Sequence, residues 1–223
     1  MLITIANVLD QEALEQAHGL LKTVRWKDGA ETAGAIAREV KRNLQADLTS
    51  RTGAQLRDQL TQAISSNPVL QAAAQPSRFS KLLVSKTEGG GGYGLHVDNA
   101  LMPHGDEKMR TDLSFTLFLS DPDSYEGGEL QIEHAGQSIS LKPKAGDLVL
   151  YPSTSLHQVV EVKAGQRFAC VGWIESLVKR ADDRETIFDL LNLKAELSKQ
   201  FAIQSAEILI LEKTIANLRR RFC

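Results

Sequence analysis

Gly94-Leu95-His96-Val97-Asp98 places an imidazole and a carboxylate two residues apart. In an extended strand, residues i and i+2 project from the same face. His96 and Asp98 therefore stand side by side, as two neighbouring ligands of one metal would. A third ligand has to come from far along the chain. The best candidate is His157, in Tyr151-Pro152-Ser153-Thr154-Ser155-Leu156-His157-Gln158. Two histidines and one carboxylate on one side of a metal leave the opposite positions open for a co-substrate and oxygen. That is the facial-triad pattern of non-haem Fe(II) sites.

Outward from this stretch the chain is strand-like. Segments 79–85, 93–97, 111–119, 129–133, 138–141, 147–151, 158–162 and 167–174 are short and apolar or alternating, and Gly, Pro and Asp separate them. Such a series predicts a sandwich or barrel of the jelly-roll kind. Asp121-Pro122-Asp123 and Glu126-Gly127-Gly128 are turn signals. Lys163-Ala164-Gly165-Gln166 reads as the loop of a hairpin joining two strands. The glycine run 89–92 reads as a mobile loop, with a flap beside the metal mouth as the alternative.

Helical patterns flank this region. Residues 2–6 predict a short strand. Asp10 is a helix N-cap candidate ahead of an amphipathic helix over 11–24. The stretch 26–34 reads as a loop, with Trp26 as a core anchor, and 35–50 has no clear period. Leu56, Leu60 and Ile64 mark a second helix, stopped by Ser65-Ser66-Asn67-Pro68. After residue 180, Ile187, Leu190, Leu191 and Leu197 form one helical stripe, and Ile208, Leu211, Ile215, Leu218 and Phe222 another. The expected fold is α+β: a double-stranded β-helix (jelly-roll) core with N-terminal helices and a C-terminal helical hairpin. The expected organisation is a core domain over 1–178 and a helical extension over 179–223, packed on the core and offering a homo-oligomer contact.

The chain has 223 residues, 24% charged and 42% hydrophobic, with a formal net charge of −2. This is a globular composition. No long basic stretch interleaves with aromatics, so nucleic acid is not an expected partner. Arg219-Arg220-Arg221 closes a helix, where cations complement the dipole. Two cysteines, Cys170 and Cys223, indicate neither a disulfide framework nor a thiolate zinc site. No signal peptide and no membrane span is expected, which leaves a reducing cytoplasmic setting.

Among the other histidines, His18 reads as a boundary residue, His134 as solvated, and His104 as a loop residue near the mouth. Arg167 lies ten residues after His157. A dicarboxylic keto acid that chelates a metal through its keto oxygen and C1 carboxylate needs a buried cation for its far carboxylate. Arginine binds carboxylate bidentately and stays charged, so Arg167 is the candidate. If His157 faces the cavity, Val159 and Glu161 do too, and Arg167 joins them by pairing with an odd-numbered residue. Pairing with Glu161 leaves a five-residue loop. An odd-length loop or a bulge is therefore expected, with the guanidinium inward.

The sequence resembles the iron- and 2-oxoglutarate-dependent dioxygenases related to prolyl and lysyl hydroxylases, and more closely the bacterial PKHD-type hydroxylases. The residues carrying this are Tyr93-Gly94-Leu95-His96-Val97-Asp98, Met109-Arg110-Thr111-Asp112-Leu113-Ser114, Thr116-Leu117-Phe118-Leu119-Ser120-Asp121-Pro122, Gly127-Gly128-Glu129-Leu130, Ala145-Gly146-Asp147-Leu148-Val149-Leu150-Tyr151-Pro152-Ser153, Leu156-His157 and Arg167. The resemblance covers nearly the whole chain. It implies Fe(2+) held by His96, Asp98 and His157, 2-oxoglutarate held by Arg167, and L-ascorbate as the reductant that restores ferrous iron. It implies hydroxylation of a small-molecule or peptide substrate by molecular oxygen, with 2-oxoglutarate converted to succinate, and a link to iron uptake. Many relatives carry a tyrosine several residues before His-x-Asp. Here that region reads Ser85-Lys86-Thr87-Glu88 and four glycines, so Thr116, on the polar face of Asp112, Ser114 and Thr116, is the substitute keto-acid contact. Two rival classes are a non-catalytic binding module on the same fold and a cupin-like hydrolase or isomerase. The Arg167 spacing argues against both.

Overall fold

A computed structural model describes residues 1–29 and 40–223; the expectations for 30–39 lie outside the described residues. Two antiparallel sheets face each other across a cavity. The larger runs β1 (Ile3–Ile5), β14 (Leu148–Pro152), β10 (Leu113–Phe118), β16 (Val162–Ser176), β6 (Leu83–Glu88), β4 (Leu44–Ala46) and β2 (Trp26–Asp28), with β11 (Tyr125–Gly127) and β5 (Pro76–Phe79) also on β16. The smaller runs β13 (Gln137–Leu141), β12 (Leu130–His134), β15 (His157–Val159), β7 (Gly92–His96) and β3 (Lys41–Arg42). A separate hairpin, β8 (Leu101–His104) with β9 (Glu107–Arg110), follows Asp98 directly.

Alternation in the larger sheet decides what faces the cavity. All six residues of β10 are buried. Leu113, Phe115 and Leu117 turn to the helices and join Leu148 and Leu150 of β14, Val84 of β6 and Cys170 and Ile174 of β16. The opposite face carries Ser114 and Thr116 of β10, Tyr151 of β14, Ser85 and Thr87 of β6 and Arg167 and Val171 of β16, all lining the cavity. A second apolar cluster, Phe118, Leu130, Ile132, Val149 and Tyr151, lies between the sheets.

The helices cover the outer face of the larger sheet. Asp10 caps α1 (Gln11–Leu21), its carboxylate accepting from the Ala13 amide at 2.8 Å. Ser50 caps α2 (Arg51–Ser66) in the same way. Asn67-Pro68 both ends α2 and starts α3 (Pro68–Ala74): Asn67 accepts from Val69 and Leu70 at 3.0 Å, and Pro68 sits where no amide hydrogen is needed. Leu14, Ala17 and Leu21 of α1 and Leu56, Leu60 and Ile64 of α2 form the helix side of the core.

The C-terminal α4 (Ala181–Leu197) and α5 (Ala206–Phe222) pack together, tied by Lys194–Glu212 at 2.6 Å. Arg219 Nε donates to Gln75 Oε1, at the C-cap of α3, at 3.0 Å, and the N-terminal ammonium lies 3.4 Å from Glu185. Only Ile187, Ile208 and Ile215 of the expected stripes are fully buried. Leu193, Leu209 and Ile210 stay exposed.

Four expectations are corrected. Residues 163–166 form no hairpin loop: they belong to β16, where Gly165 and Ala164 pair with Tyr125 and Glu126 of β11. β15 and β16 lie in different sheets, and Arg167 pairs with Thr87 of β6 rather than with Glu161. Part of the expected loop 26–34 is strand β2, with Trp26 packed 5.7 Å from Phe168 as a core anchor. The glycine run is only partly loop: Gly89 and Gly90 make the turn and Gly92 already begins β7, while the Gly90 amide donates to the Val162 carbonyl, the Gly91 carbonyl accepts from the Val162 amide, and a Cβ on Gly91 would lie 2.5 Å from the Arg42 carbonyl.

Candidate metal centre

His96 ends β7 and His157 begins β15, and the two are direct cross-strand partners. Asp98 lies two residues beyond His96, so the i, i+2 spacing delivers a third ligand atom beside the pair. The ligand atoms of His96, Asp98 and His157 all lie within 4.8 Å of one another, a group that can hold a metal ion. His157 Nε2 is 3.8 Å from Asp98 Oδ2.

Backbone carbonyls set both rings. His96 Nδ1 lies 2.7 Å from the Gly94 carbonyl and His157 Nδ1 lies 3.1 Å from that of Ser155. A carbonyl only accepts, so each Nδ1 carries the proton and each Nε2 keeps a lone pair for the metal. Burial, then the neighbouring His157, holds His96 well below the usual imidazole range. The ring of Tyr93 stacks on His96 with centroids 3.7 Å apart, and Tyr151 meets His157 edge-on at 5.1 Å. Burial, then the Asp98 charge, pushes the Tyr93 phenol up to about 12 and the Tyr151 phenol higher still.

The cavity holds about 500 Å3, a size that suits a small co-substrate plus part of a second molecule. Arg167 lines it and is 2% exposed. Its guanidinium lies 5.1 Å from the centre of the Phe118 ring, and Nε and Nη2 are buried with no hydrogen-bond partner. Burial lowers its pKa, with Tyr125 and Tyr151 offsetting in part. Arginine remains charged through such a shift. Gly128, at φ +69°, makes room for the side chain: a Cβ there would come within 2.9 Å of Arg167 Cδ.

A buried cation with unused donors is costly unless an anion completes it. The distal carboxylate of a dicarboxylic keto acid supplies that anion, and the histidine–carboxylate donor set suits iron. The residues present therefore fit both groups.

Thr116 lines the same cavity and its hydroxyl contacts Tyr151. His18 bonds through Nε2 to the Leu119 carbonyl, His104 ends β8, and His134 sits at the β12–β13 turn; none joins the cluster. The sequence reading missed the aromatic walls Tyr93 and Tyr151, although both stand in quoted motifs. It placed Ser114 on a polar face but not its contact with Asp98, and it missed Ser153, which follows β14.

The profile of the 2OG-Fe(II) oxygenase superfamily matches residues 82–175. A PKHD-type hydroxylase of Hyphomonas neptunium is 51% identical over 219 residues, covering 98% of each chain. Another, from Synechococcus elongatus, is 46% identical over 222 residues, covering 100% of this chain and 99% of its own. The fold is similar to a Trichoplax adhaerens prolyl hydroxylase solved with a hypoxia-inducible-factor peptide fragment (TM-score 0.58, 20% identity, 81% of this chain and 86% of that one). It is also similar to a Pseudomonas putida prolyl-4-hydroxylase (TM-score 0.51, 21% identity, 78% and 92%). The two solved structures speak to fold alone, but the two full-length relatives decide the family: this chain belongs to the PKHD-type hydroxylases of the 2OG-Fe(II) oxygenase superfamily.

Proposed function

We propose that His96, Asp98 and His157 hold Fe(2+), and that Arg167 takes the distal carboxylate of 2-oxoglutarate. As a member of the superfamily the chain is an iron- and 2-oxoglutarate-dependent hydroxylase. With oxygen, the bound iron and keto acid supply the oxidising power to convert a C–H bond to C–OH, releasing succinate and carbon dioxide. The chain's own residues bind and orient. The two Nδ1–H···O=C bonds keep both imidazoles turned to the metal, and Asp98 adds the negative charge. Arg167 fixes the keto acid's far end, with Thr116 and Tyr151 beside it. The aromatic rings of Tyr93, Phe118 and Tyr151 exclude water.

The observation that carries this reading is the buried guanidinium of Arg167, whose Nε and Nη2 have no hydrogen-bond partner, in the cavity that also contains the triad. Anaerobic addition of Fe(II) and 2-oxoglutarate is expected to give a weak visible charge-transfer band. R167Q should raise the 2-oxoglutarate dissociation constant about 100-fold, the worth of two charge-assisted hydrogen bonds at ~1.5 kcal/mol each. Unchanged affinity in R167Q would remove Arg167 from the role. A screen that follows succinate release with candidate peptides, amino acids and siderophore-like compounds then identifies the substrate.

The finer architecture belongs to the same reading: a double-stranded β-helix over 1–178, with 179–223 as a helical hairpin packed on it. Ascorbate serves as the reductant, and the setting is cytoplasmic, which suits the free thiols of Cys170 and Cys223. Among the described residues no helix is long and apolar enough to cross a membrane. Exposed Leu193, Leu209 and Ile210 on α4 and α5 support a homo-oligomer contact there.

A further inference from the structure

Behind Asp98 lies a pair of buried hydroxyls. Ser114 is 2% exposed and Ser153 3%. Ser114 Oγ donates to Asp98 Oδ2 at 2.6 Å and lies 2.7 Å from Ser153 Oγ. A serine has one hydroxyl proton. That of Ser114 is committed to the carboxylate, so Ser153 must donate to Ser114. The polarity of the chain is fixed: Ser153 to Ser114 to Asp98. Each donation strengthens the next in a low-dielectric site. The backbone sets this up, because alternation along β10 turns Ser114 to the cavity between its cross-strand partners Tyr151 and Trp173. Apolar residues at 114 and 153 would remove the need to satisfy two buried hydroxyls. Their presence calls for a reason.

We propose that Ser114, backed by Ser153, is a positioning residue that holds the Asp98 carboxylate in the rotation a one-point metal ligand requires. This rests on the metal reading above. A carboxylate free to turn can bind a metal through both oxygens. A charge-assisted hydrogen bond on Oδ2 alone makes the two oxygens unequal and favours coordination through a single atom. The distinction matters here. With each protein ligand taking one position, a bound metal would keep room for a chelating keto acid and for oxygen. A two-point Asp98 would crowd that room.

The test titrates Mn(II) into purified full-length protein, reading free Mn(II) by electron paramagnetic resonance. S114A should weaken Mn(II) binding about 10-fold, in the range for loss of a group that orients a ligand. S153A should weaken it less, because it removes only the support behind Ser114. S114T keeps the hydroxyl, so it should bind within about twofold of wild type. S114A within twofold of wild type overturns the proposal. So does an S114T as weak as S114A, since that points to disturbed packing rather than a lost hydrogen bond. Wild-type protein that binds no Mn(II) overturns the metal reading itself, and so separates the two failures.

Discussion

In the larger sheet, central strands β10 and β14 are buried on both faces. In the smaller sheet, β7 turns His96 inward and leaves Leu95 and neighbouring Val97 more than half exposed. One sheet has helices behind it; on the outer face of the other, no helix packs among the described residues. Arg167 stands on the first and the two histidines on the second. The difference separates two jobs. The helix-backed sheet carries the apolar packing on its outer face and Arg167 on its cavity face, and the smaller sheet carries the two histidines on its single buried face. Substitutions at the helix-facing positions and at the cavity-facing positions should therefore divide into losses of stability and losses of ligand.

The sharpest break comes from the ligand side. H157A should weaken Fe(II) binding by about 100-fold or more, given ~10–16 kcal/mol shared among four ligands in structural zinc sites. The thermal midpoint of the metal-free protein should hardly move; a large drop would mean that His157 also carries packing. On the other sheet, L117A should cost ~3 kcal/mol by leaving a cavity between β10 and the helices. Mn(II) affinity of the folded fraction should stay within about twofold. Denaturant unfolding with and without metal separates these outcomes, and a change of similar size in both would erase the division. The smallest effect is expected on the outer face of the smaller sheet. L95S should change unfolding free energy by no more than ~0.5 kcal/mol, although it adjoins His96. A loss of several kcal/mol would show that something covers that face.

Local features were legible in the sequence, and long-range pairing was not. The His96–Asp98 spacing brought two candidate ligands together because an i, i+2 relation is local. The cap at Asp10 and the stop at Asn67-Pro68 depend on neighbours within three or four residues, whereas the cap at Ser50 went unread. The inward direction of Arg167 was expected, but for a reason the structure replaces. Its register comes from Thr87 on β6, 80 residues upstream, which no local rule supplies. Ala164-Gly165 carried a turn signature, yet Gly165 keeps its positive φ of +74° within a strand pressed against Tyr125. Pro103 similarly hid β8, where proline can be accommodated because the hairpin has free edges. The Ser114–Asp98 bond joins residues 16 apart through two different strands' ends, a closure that becomes visible only once the sheets face each other.

The crossover from β15 to β16 occupies only Val160 and Glu161. These two residues carry the chain from the sheet of His96 and His157 to the sheet of Arg167, so they act as a spacer gauge. Tethered to both walls, the gap between His157 and Arg167 has little freedom to stretch. On the proposed reading, a keto diacid one methylene shorter or longer than 2-oxoglutarate could engage the metal or the guanidinium, but not both without strain. This two-residue connection would then work as a length filter for the co-substrate.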